Sequence, residues 1–212
     1  MKLYSYWRST TSVRVRIALN LKGVDYTYVA VNLLAGEQGG DAFAAVNPSR
    51  GVPALELDDG TILTQSVAIL EYIDEVYPDP PLLPADPVAR AQVRGAAACV
   101  ALDIHPLNNL RILNYLKDTM GQSQDDTVAW MRHWMTNGFT AMQKLVKPDT
   151  PFCFGDRLDL ADISLVSQMV NARRFDLDLS PFPRLVEIDT ACRQIDAVHR
   201  GLPESQPDAT PL

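Results

Sequence analysis

The sequence predicts an α/β domain followed by an all-α domain, and three observations lead to this division. Residues 1–80 alternate between strand-like and helix-like patterns. Residues 77–87 ("YPDPPLLPADP") then contain five prolines. The rest of the chain shows helical patterns without strand-like alternation. Because proline continues neither a helix nor a central strand, we interpret 77–87 as a linker and predict domains at 1–80 and 88–212.

The first domain is predicted to follow the order β-α-β-α-β-β-α. Residues 2–7 alternate with a period of two, as in a strand, and residues 11–22 carry apolar side chains at helical spacing before Gly23. The stretch Asp58-Asp59-Gly60 is typical of a hairpin turn between two short strands. The other predicted elements are strands at 26–32, 54–57 and 61–64, a short helix at 41–46 and a helix at 67–77.

The second domain is predicted to contain four helical stretches, and its proline-rich tail is expected to lie over the surface. Pro106 is expected to kink or interrupt the first stretch. Asp159 and Asp162 have the spacing of the N-cap and N3 residues of a capping box at the start of the third stretch. The four stretches are 88–117, 126–147, 159–174 and 183–198.

Composition limits the class of protein. The chain has 212 residues, 47% of them hydrophobic, which predicts a packed core. The net charge of −7 argues against a nucleic-acid-binding protein, which needs a basic surface. Cys99, Cys153 and Cys192 are widely spaced, so we expect neither a disulfide framework nor a metal site. No stretch has the pattern of a signal peptide or a membrane span, and we therefore expect a cytoplasmic protein without a membrane partner.

Four hydroxyl side chains in a row, Ser9, Thr10, Thr11 and Ser12, stand where the first strand is predicted to give way to a helix. One of them is expected to be the N-cap, because Ser and Thr accept hydrogen bonds from the first amides of a helix. A helix N-terminus also favours an anion, and a thiolate is one such anion. Since no cysteine is nearby in the sequence, the sulfur would have to arrive with a ligand.

Two further stretches indicate binding to an extended ligand. Val52-Pro53 precedes a predicted strand, and a cis bond there would expose the backbone of Val52, although the trans form is far more common. Gln65-Ser66 lies between a predicted strand and a predicted helix. Ser66 is expected either to be a simple N-cap or to help bind a carboxylate at this second helix N-terminus.

Taken together, these features resemble the glutathione transferases, which have a thioredoxin-like first domain and an all-α second domain. The stretch "RSTTSVRVRIALNLKG" is similar to the zeta-class signature, usually written SSCxWRVRIAL. The resemblance covers nearly the whole chain. Other stretches similar to zeta-class members are "NPxxxVPxL", "QSxAIxEYI", "LLPxDP", "NARRFxxDLxPFP" and the closing "QPD".

The resemblance implies glutathione as the cofactor. Ser9 matches the signature serine that contacts the glutathione sulfur. Thr10 matches the next position and is also expected to bind glutathione. Thr11 stands where the signature has cysteine, so we expect Ser9 and Thr11 to donate hydrogen bonds to a borrowed thiolate. In the other two stretches, the Val52 backbone is expected to pair with the cysteinyl part of glutathione. Gln65 and Ser66 are expected to hold its γ-glutamyl carboxylate.

Cations are expected in the substrate pocket, because the substrate carboxylates and the enolate formed in the reaction are negative. Arg8 adjoins Ser9, and Arg174 falls where relatives carry an arginine, so both are assigned catalytic roles. Arg111 and Arg173 are further candidates for binding the substrate. The resemblance also implies a glutathione-binding role for His105 and Asn109 and a homodimeric assembly.

The activity that the resemblance implies is glutathione-dependent cis–trans isomerisation of a maleyl keto acid. Maleylacetoacetate, converted to fumarylacetoacetate in tyrosine and phenylalanine catabolism, is the first choice of substrate. Thiolate addition turns a double bond into a rotatable single bond, and elimination then restores glutathione. Two alternatives stay open among enzymes: a maleylpyruvate isomerase of gentisate degradation, and a general transferase or 2-halo acid dehalogenase. Outside enzymes, the alternative is a non-catalytic module for dimeric protein binding.

Overall fold

A computed structural model describes residues 1–210 of the chain, which form two compact units. The first unit comprises Met1–Pro81 and resumes at Gln194, and the second comprises Leu82–Arg193. The strands are β1 (Lys2–Ser5), β2 (Thr27–Ala30), β3 (Ala54–Glu56) and β4 (Ile62–Thr64). The helices are α1 (Thr10–Leu21), α2 (Asp41–Val46), α3 (Ser66–Val76), α4 (Pro87–Ala98), α5 (Leu110–Asn114), α6 (Gln124–Leu145), α7 (Leu160–Arg174), α8 (Pro183–Arg193) and α9 (Asp196–Gly201).

The first unit is built on a four-stranded mixed sheet in the order β2-β1-β3-β4. β1 runs parallel to β2 and antiparallel to β3, so that Leu3 lies opposite Tyr28 on one side and Leu55 on the other. β3 and β4 form the predicted hairpin. Helix α1 is buried along most of its length, because α3 and α9 both pack against it. The predicted order β-α-β-α-β-β-α is confirmed, and with it the arrangement expected of a thioredoxin-like domain.

Residues 194–210 pack with the first unit, whereas the sequence predicts one domain over 88–212. The predicted helix at 183–198 is two helices, α8 and α9, separated at Ile195, which has an extended backbone. Helix α9 lies so close to α1 that a Cβ at Gly201 would stand 2.6 Å from Cγ1 of Ile17. The Asn20 side chain also donates a hydrogen bond to the carbonyl of Ala197 (3.1 Å).

The second unit is helical, as predicted, but its first stretch is divided into several pieces. After α4 come a π-helical turn (Cys99–Ile104) and a 3₁₀ turn (His105–Asn108). Pro106 lies inside the 3₁₀ turn, and the expected interruption is therefore confirmed. The backbone becomes extended at Asn109 before α5 begins, and a second π-helical turn (Tyr115–Thr119) follows that helix. None of the helices in the described residues is long and apolar enough to cross a membrane.

The predicted capping box at the start of α7 is confirmed. The Asp159 side chain accepts hydrogen bonds from the amides of Ala161 (2.8 Å) and Asp162 (3.2 Å), and the Asp162 side chain accepts one from the Asp159 amide (2.8 Å). Asp162 is fully buried and also accepts a hydrogen bond from the Cys153 amide (2.8 Å). The box thus connects the start of α7 to the preceding loop, which is a role in folding rather than in chemistry.

Replacing Gly201 by alanine should lower the free energy of unfolding by about 1–3 kcal/mol, because the new methyl group overlaps Ile17 in a packed core. Gly95→Ala is the matched control, since Gly95 also lies in a helix but a Cβ there meets no atom within 4 Å. The control should leave stability unchanged or raise it by up to about 1 kcal/mol. Urea denaturation followed by circular dichroism measures both variants. Equal effects would contradict the close packing of α9 on α1.

Candidate active site

The turn between β1 and α1 fixes Ser9 at the helix N-terminus. Ser9 has an extended backbone (φ −69°, ψ 114°), and its Oγ accepts a hydrogen bond from the Ser12 amide at 3.2 Å. Its own amide donates to the Tyr6 carbonyl at 2.9 Å. Ser9 is therefore the N-cap that the hydroxyl cluster predicted, and its hydroxyl stands at the positive end of α1.

Two hydrogen bonds, both through the Thr11 hydroxyl, connect Ser9 to the loop before β3. Thr11 Oγ1 donates a hydrogen bond to the Val52 carbonyl at 2.9 Å, and Ser9 Oγ lies 2.9 Å from the same Thr11 oxygen. A hydroxyl has one hydrogen. Since the Thr11 hydrogen is directed to Val52, Ser9 is the donor in its contact with Thr11. The structure thus brings the predicted residues Ser9, Thr11 and Val52 together.

The other two hydroxyl residues of the cluster are buried. Thr10 is 7% exposed and Ser12 is 0% exposed. A ligand at this helix end is therefore expected to meet Thr10 through its backbone amide, which is the first of α1. The Ser12 hydroxyl has no hydrogen-bond partner among the described residues, and nothing in the structure connects it with a ligand.

Arg8 provides a cation beside Ser9. Its guanidinium lies over the Trp7 ring at 4.7 Å from the centroid and donates a hydrogen bond to the Tyr6 hydroxyl at 3.3 Å. Stacking on an aromatic face holds an arginine while its remaining donors stay available. The predicted cation is thus placed by the two residues that precede it.

Val52 and Pro53 are joined by a cis peptide bond in the described structure. The pairing of β3 with β1 begins at Ala54, so the backbone of Val52 lies outside the sheet ladder. Its carbonyl is held by Thr11, and its amide is not part of the sheet.

Helix α3 begins differently from the prediction. Its N-cap is Gln65, whereas Ser66, the expected N-cap, is the first helical residue. Gln65 has a left-handed backbone (φ 68°), which costs a non-glycine residue roughly 1–3 kcal/mol and is found mostly at functional sites. It also makes no side-chain cap, although a Ser or Asp side chain caps each of α1, α4, α6 and α7. The first amides of α3 are therefore open to an outside acceptor.

The structure adds two residues that the sequence did not suggest as contributors to this site. Arg16 is fully buried and donates hydrogen bonds to the carbonyls of Gly201 (2.9 Å), Tyr6 (3.2 Å) and Trp7 (3.0 Å). Asp208, in the tail, accepts hydrogen bonds from the Trp7 amide (3.1 Å) and from the hydroxyl of Tyr28 on β2 (2.7 Å).

Together, Arg16 and Asp208 hold the backbone from which Arg8 and Ser9 project. Burial raises the pKa of Tyr28, which keeps its hydroxyl protonated and able to donate to Asp208. The closing "QPD" motif is the one sequence feature that marks this part of the tail, which the sequence otherwise predicts to lie over the surface.

Two predicted residues of the second unit, Asn109 and Arg111, are joined by a local contact. The Asn109 side chain caps α5 by accepting a hydrogen bond from the Arg111 amide at 3.1 Å. The Arg111 side chain is exposed, and His105, which begins the 3₁₀ turn, is partly buried. Asn109 therefore has a structural role besides any contact with a ligand.

Arg173 and Arg174, at the end of α7, differ in their surroundings. Arg173 forms an ion pair of 2.6 Å with the fully buried Asp189, which also pairs with Arg193 at 2.9 Å. Arg174 lies over the Phe175 ring at 4.9 Å and lines an open cavity of about 720 Å³ within the second unit. The cavity is also lined by Asp125, Val128, Ala129, Arg132, His133, Thr136, Phe175 and Asp176.

Comparison with known proteins gives similarity over the whole chain. Residues 1–75 match the family described as glutathione S-transferase, N-terminal domain. A maleylpyruvate isomerase of Ralstonia sp is 49% identical over 99% of this chain and 100% of its own length. A maleylacetoacetate isomerase of Pseudomonas aeruginosa is 46% identical over 98% of both chains.

Two solved structures extend this similarity to the fold. One is the holo structure of a maleylpyruvate isomerase described as a bacterial zeta-class glutathione S-transferase (TM-score 0.96, 49% identity, 99% and 100% of the two chains covered). The other is a maleylacetoacetate isomerase of Methylobacterium extorquens AM1 with bound malonate and glutathione (TM-score 0.96, 38% identity, 100% of both chains covered).

Replacing Asp208 by alanine should lower the free energy of unfolding by about 1–3 kcal/mol, because the Trp7 amide and the Tyr28 hydroxyl lose their acceptor. Asp58→Ala is the control, since Asp58 pairs with the N-terminal amine but its side chain is 88% exposed, and that change should have little effect. Thermal denaturation of both variants measures the difference. Equal stability of the two variants would mean that the tail does not hold the β1–α1 turn.

Proposed function

The chain belongs to the zeta class of the glutathione transferases, and on that premise we propose that it is a glutathione-dependent cis–trans isomerase of a maleyl keto acid. Maleylacetoacetate, with fumarylacetoacetate as the product, is the first choice of substrate. Maleylpyruvate is the second choice, because a maleylpyruvate isomerase is 49% identical to this chain. The observation that carries the proposal is the Ser9 hydroxyl at the N-terminus of α1, in a cluster that contains no cysteine.

The residues of the first unit fit the three parts of glutathione. The Ser9 hydroxyl and the positive end of α1 suit an ionised sulfur. The Val52 backbone, which lies outside the sheet ladder, suits the peptide groups on either side of the cysteinyl residue. The α3 N-terminus has no side-chain cap, so Gln65, Ser66 and the first amides suit the γ-glutamyl carboxylate. When bound, glutathione supplies a thiolate that adds reversibly to the cis double bond and permits rotation about it.

Ser9 and Thr11 are given different tasks, which revises the prediction that both donate to the sulfur. The Thr11 hydrogen is directed to the Val52 carbonyl, so Thr11 acts by orienting Ser9. The Ser9 oxygen accepts a hydrogen bond from the Ser12 amide. The Ser9 hydroxyl can still rotate, so that its hydrogen turns from Thr11 toward a sulfur atom. A single side-chain hydroxyl, aided by the helix end, is then the group that stabilises the anion.

Arg8 is proposed to bind a carboxylate of the substrate, because its guanidinium is fixed next to Ser9 by the Trp7 ring. For the second unit, the roles of Arg111, Arg174, His105 and Asn109 stay predictions based on the family resemblance. Of the two arginines that end α7, Arg174 is preferred, because Arg173 is already engaged by the buried Asp189.

The proposal also includes a cytoplasmic location and a homodimeric assembly. Cys99, Cys153 and Cys192 are free thiols in the structure, which supports a reducing compartment. Membership of the family supports the dimer, and size-exclusion chromatography with light scattering would measure it.

The function is tested by mixing the purified protein with maleylacetoacetate or with maleylpyruvate and following the ultraviolet absorbance. Each substrate is assayed with and without a catalytic amount of glutathione, whose concentration is measured before and after. We expect turnover that requires glutathione, does not consume it, and is faster with maleylacetoacetate. Depletion of glutathione would instead indicate a transferase, and absence of any reaction would favour a non-catalytic module.

Ser9→Ala should lower kcat/KM for isomerisation by about 100-fold, as is typical for loss of one donor to a developing anion. Thr11→Val should lower it by less than about tenfold, because Thr11 only positions Ser9. Circular dichroism checks the folding of Ser9→Ala, which also loses a helix cap and about 1 kcal/mol of stability. Full activity of Ser9→Ala would contradict the assignment, and equal losses in the two variants would restore Thr11 as a direct donor.

A further inference from the structure

Helix α1 carries two buried arginines, Arg14 and Arg16, which are 1% and 0% exposed. Burying a charged group is costly unless it forms hydrogen bonds, so each arginine should have an identifiable role. Arg16 donates hydrogen bonds to the carbonyls of Gly201, Tyr6 and Trp7, and these bonds explain why its guanidinium can be buried. The glutathione-binding residues discussed above do not include Arg14.

The Arg14 guanidinium reaches from α1 to the first residue of α3. Its Nη1 donates a hydrogen bond to Ser66 Oγ at 3.3 Å, and Ser66 is itself 5% exposed. Burial lowers the pKa of Arg14 to about 10, so the guanidinium remains charged at neutral pH. A buried positive charge therefore lies directly behind the N-terminus of α3.

This contact decides which way the Ser66 hydroxyl points. An oxygen that accepts a hydrogen bond from Arg14 cannot direct its own hydrogen back at the same group. The Ser66 hydrogen must therefore point away from Arg14, and no acceptor for it is found among residues 1–210. A hydroxyl that already accepts from a cation is also a stronger donor, because hydrogen bonds in a chain polarise one another.

Three favourable features for a carboxylate thus meet at one place. They are the oriented Ser66 hydrogen, the amides of the first turn of α3, which have no side-chain cap, and the positive end of the α3 dipole. A carboxylate placed there would complete the hydrogen bonding of Ser66.

We infer that Arg14 is a positioning residue that orients Ser66 as a hydrogen-bond donor and selects for the α-carboxylate of the γ-glutamyl residue of glutathione. The inference rests on the proposed function, because it assumes that glutathione is the ligand. Arg14 acts through Ser66, at the end of the ligand remote from the sulfur. It should therefore affect the affinity for glutathione much more than the rate of the chemical step.

The test compares two ligands by isothermal titration calorimetry: glutathione, and 4-aminobutanoyl-cysteinyl-glycine, which lacks only the α-carboxylate. In Arg14→Met, we expect the Kd for glutathione to rise about tenfold, equivalent to about 1.4 kcal/mol, and the Kd for the analogue to stay unchanged. Ser66→Ala should give the same selective loss. The double variant should lose no more than Ser66→Ala alone, because Arg14 acts through that hydroxyl.

Arg16→Met is the matched control, since it removes an equally buried guanidinium from the same helix. Arg16 does not contact Ser66, so any loss of affinity in this variant should be the same for both ligands. In steady-state assays, Arg14→Met should raise the KM for glutathione about tenfold and change kcat by less than about twofold. If Arg14→Met does not fold, Arg14→Lys carries the test with an expected selective loss of about threefold to fivefold.

The outcomes separate this inference from the proposed function. If the wild-type protein binds glutathione and Arg14→Met binds it equally tightly, the inference is overturned while the function stands. An equal loss for both ligands in Arg14→Met would also overturn it, because the role would then be purely structural. If the wild-type protein does not bind glutathione at all, the proposed function fails first, and the inference fails with it.

Discussion

The candidate active site depends on one hydrogen bond, from the Ser12 amide to Ser9 Oγ, which makes Ser9 the cap of α1. It fixes the serine oxygen at the positive end of the helix and uses one of its acceptor sites. The Ser9 hydroxyl hydrogen remains available to a ligand, and in this structure it is donated to Thr11 Oγ1. Because Thr11 gives its own hydrogen to the Val52 carbonyl, Ser9 is the one of these two residues whose hydrogen can be redirected to a ligand without breaking a contact with the backbone.

The rest of the first unit maintains this arrangement. Arg16 and Asp208 bind the backbone before Ser9. The C-terminal segment takes part through Asp208 itself and through the Gly201 carbonyl, which accepts a hydrogen bond from Arg16. At a second helix end, Gln65 adopts a left-handed backbone, and Ser66 is held from behind by Arg14. The two helix N-termini have opposite designs: α1 is capped by a side chain, whereas α3 leaves its first amides open to a carboxylate.

Sequence patterns predicted the structural features that are set by residues close together in the sequence. The order of the elements, an N-cap within the hydroxyl cluster 9–12 and the capping box at Asp159 follow from local spacing, and the structure confirms all three. The direction of the Thr11 hydrogen was not predictable, because it is set by Val52, which only the fold brings near. The backbone of Gln65 was missed because glutamine carries no signal for a left-handed conformation. Asp208 was missed because the closing "QPD" motif does not indicate which distant groups the carboxylate contacts.

The most direct test of the central claim is the pKa of the thiol of bound glutathione, measured by the ultraviolet absorbance of the thiolate in the wild-type protein and in Ser9→Ala. If Ser9 stabilises the anion, the thiol pKa should be depressed in the wild-type complex and should rise by about 1–2 units in the variant. That rise corresponds to the loss of one hydrogen bond to a charged group. An identical thiol pKa in the two complexes would contradict the account, because the hydroxyl at the end of α1 would then have no part in holding the sulfur.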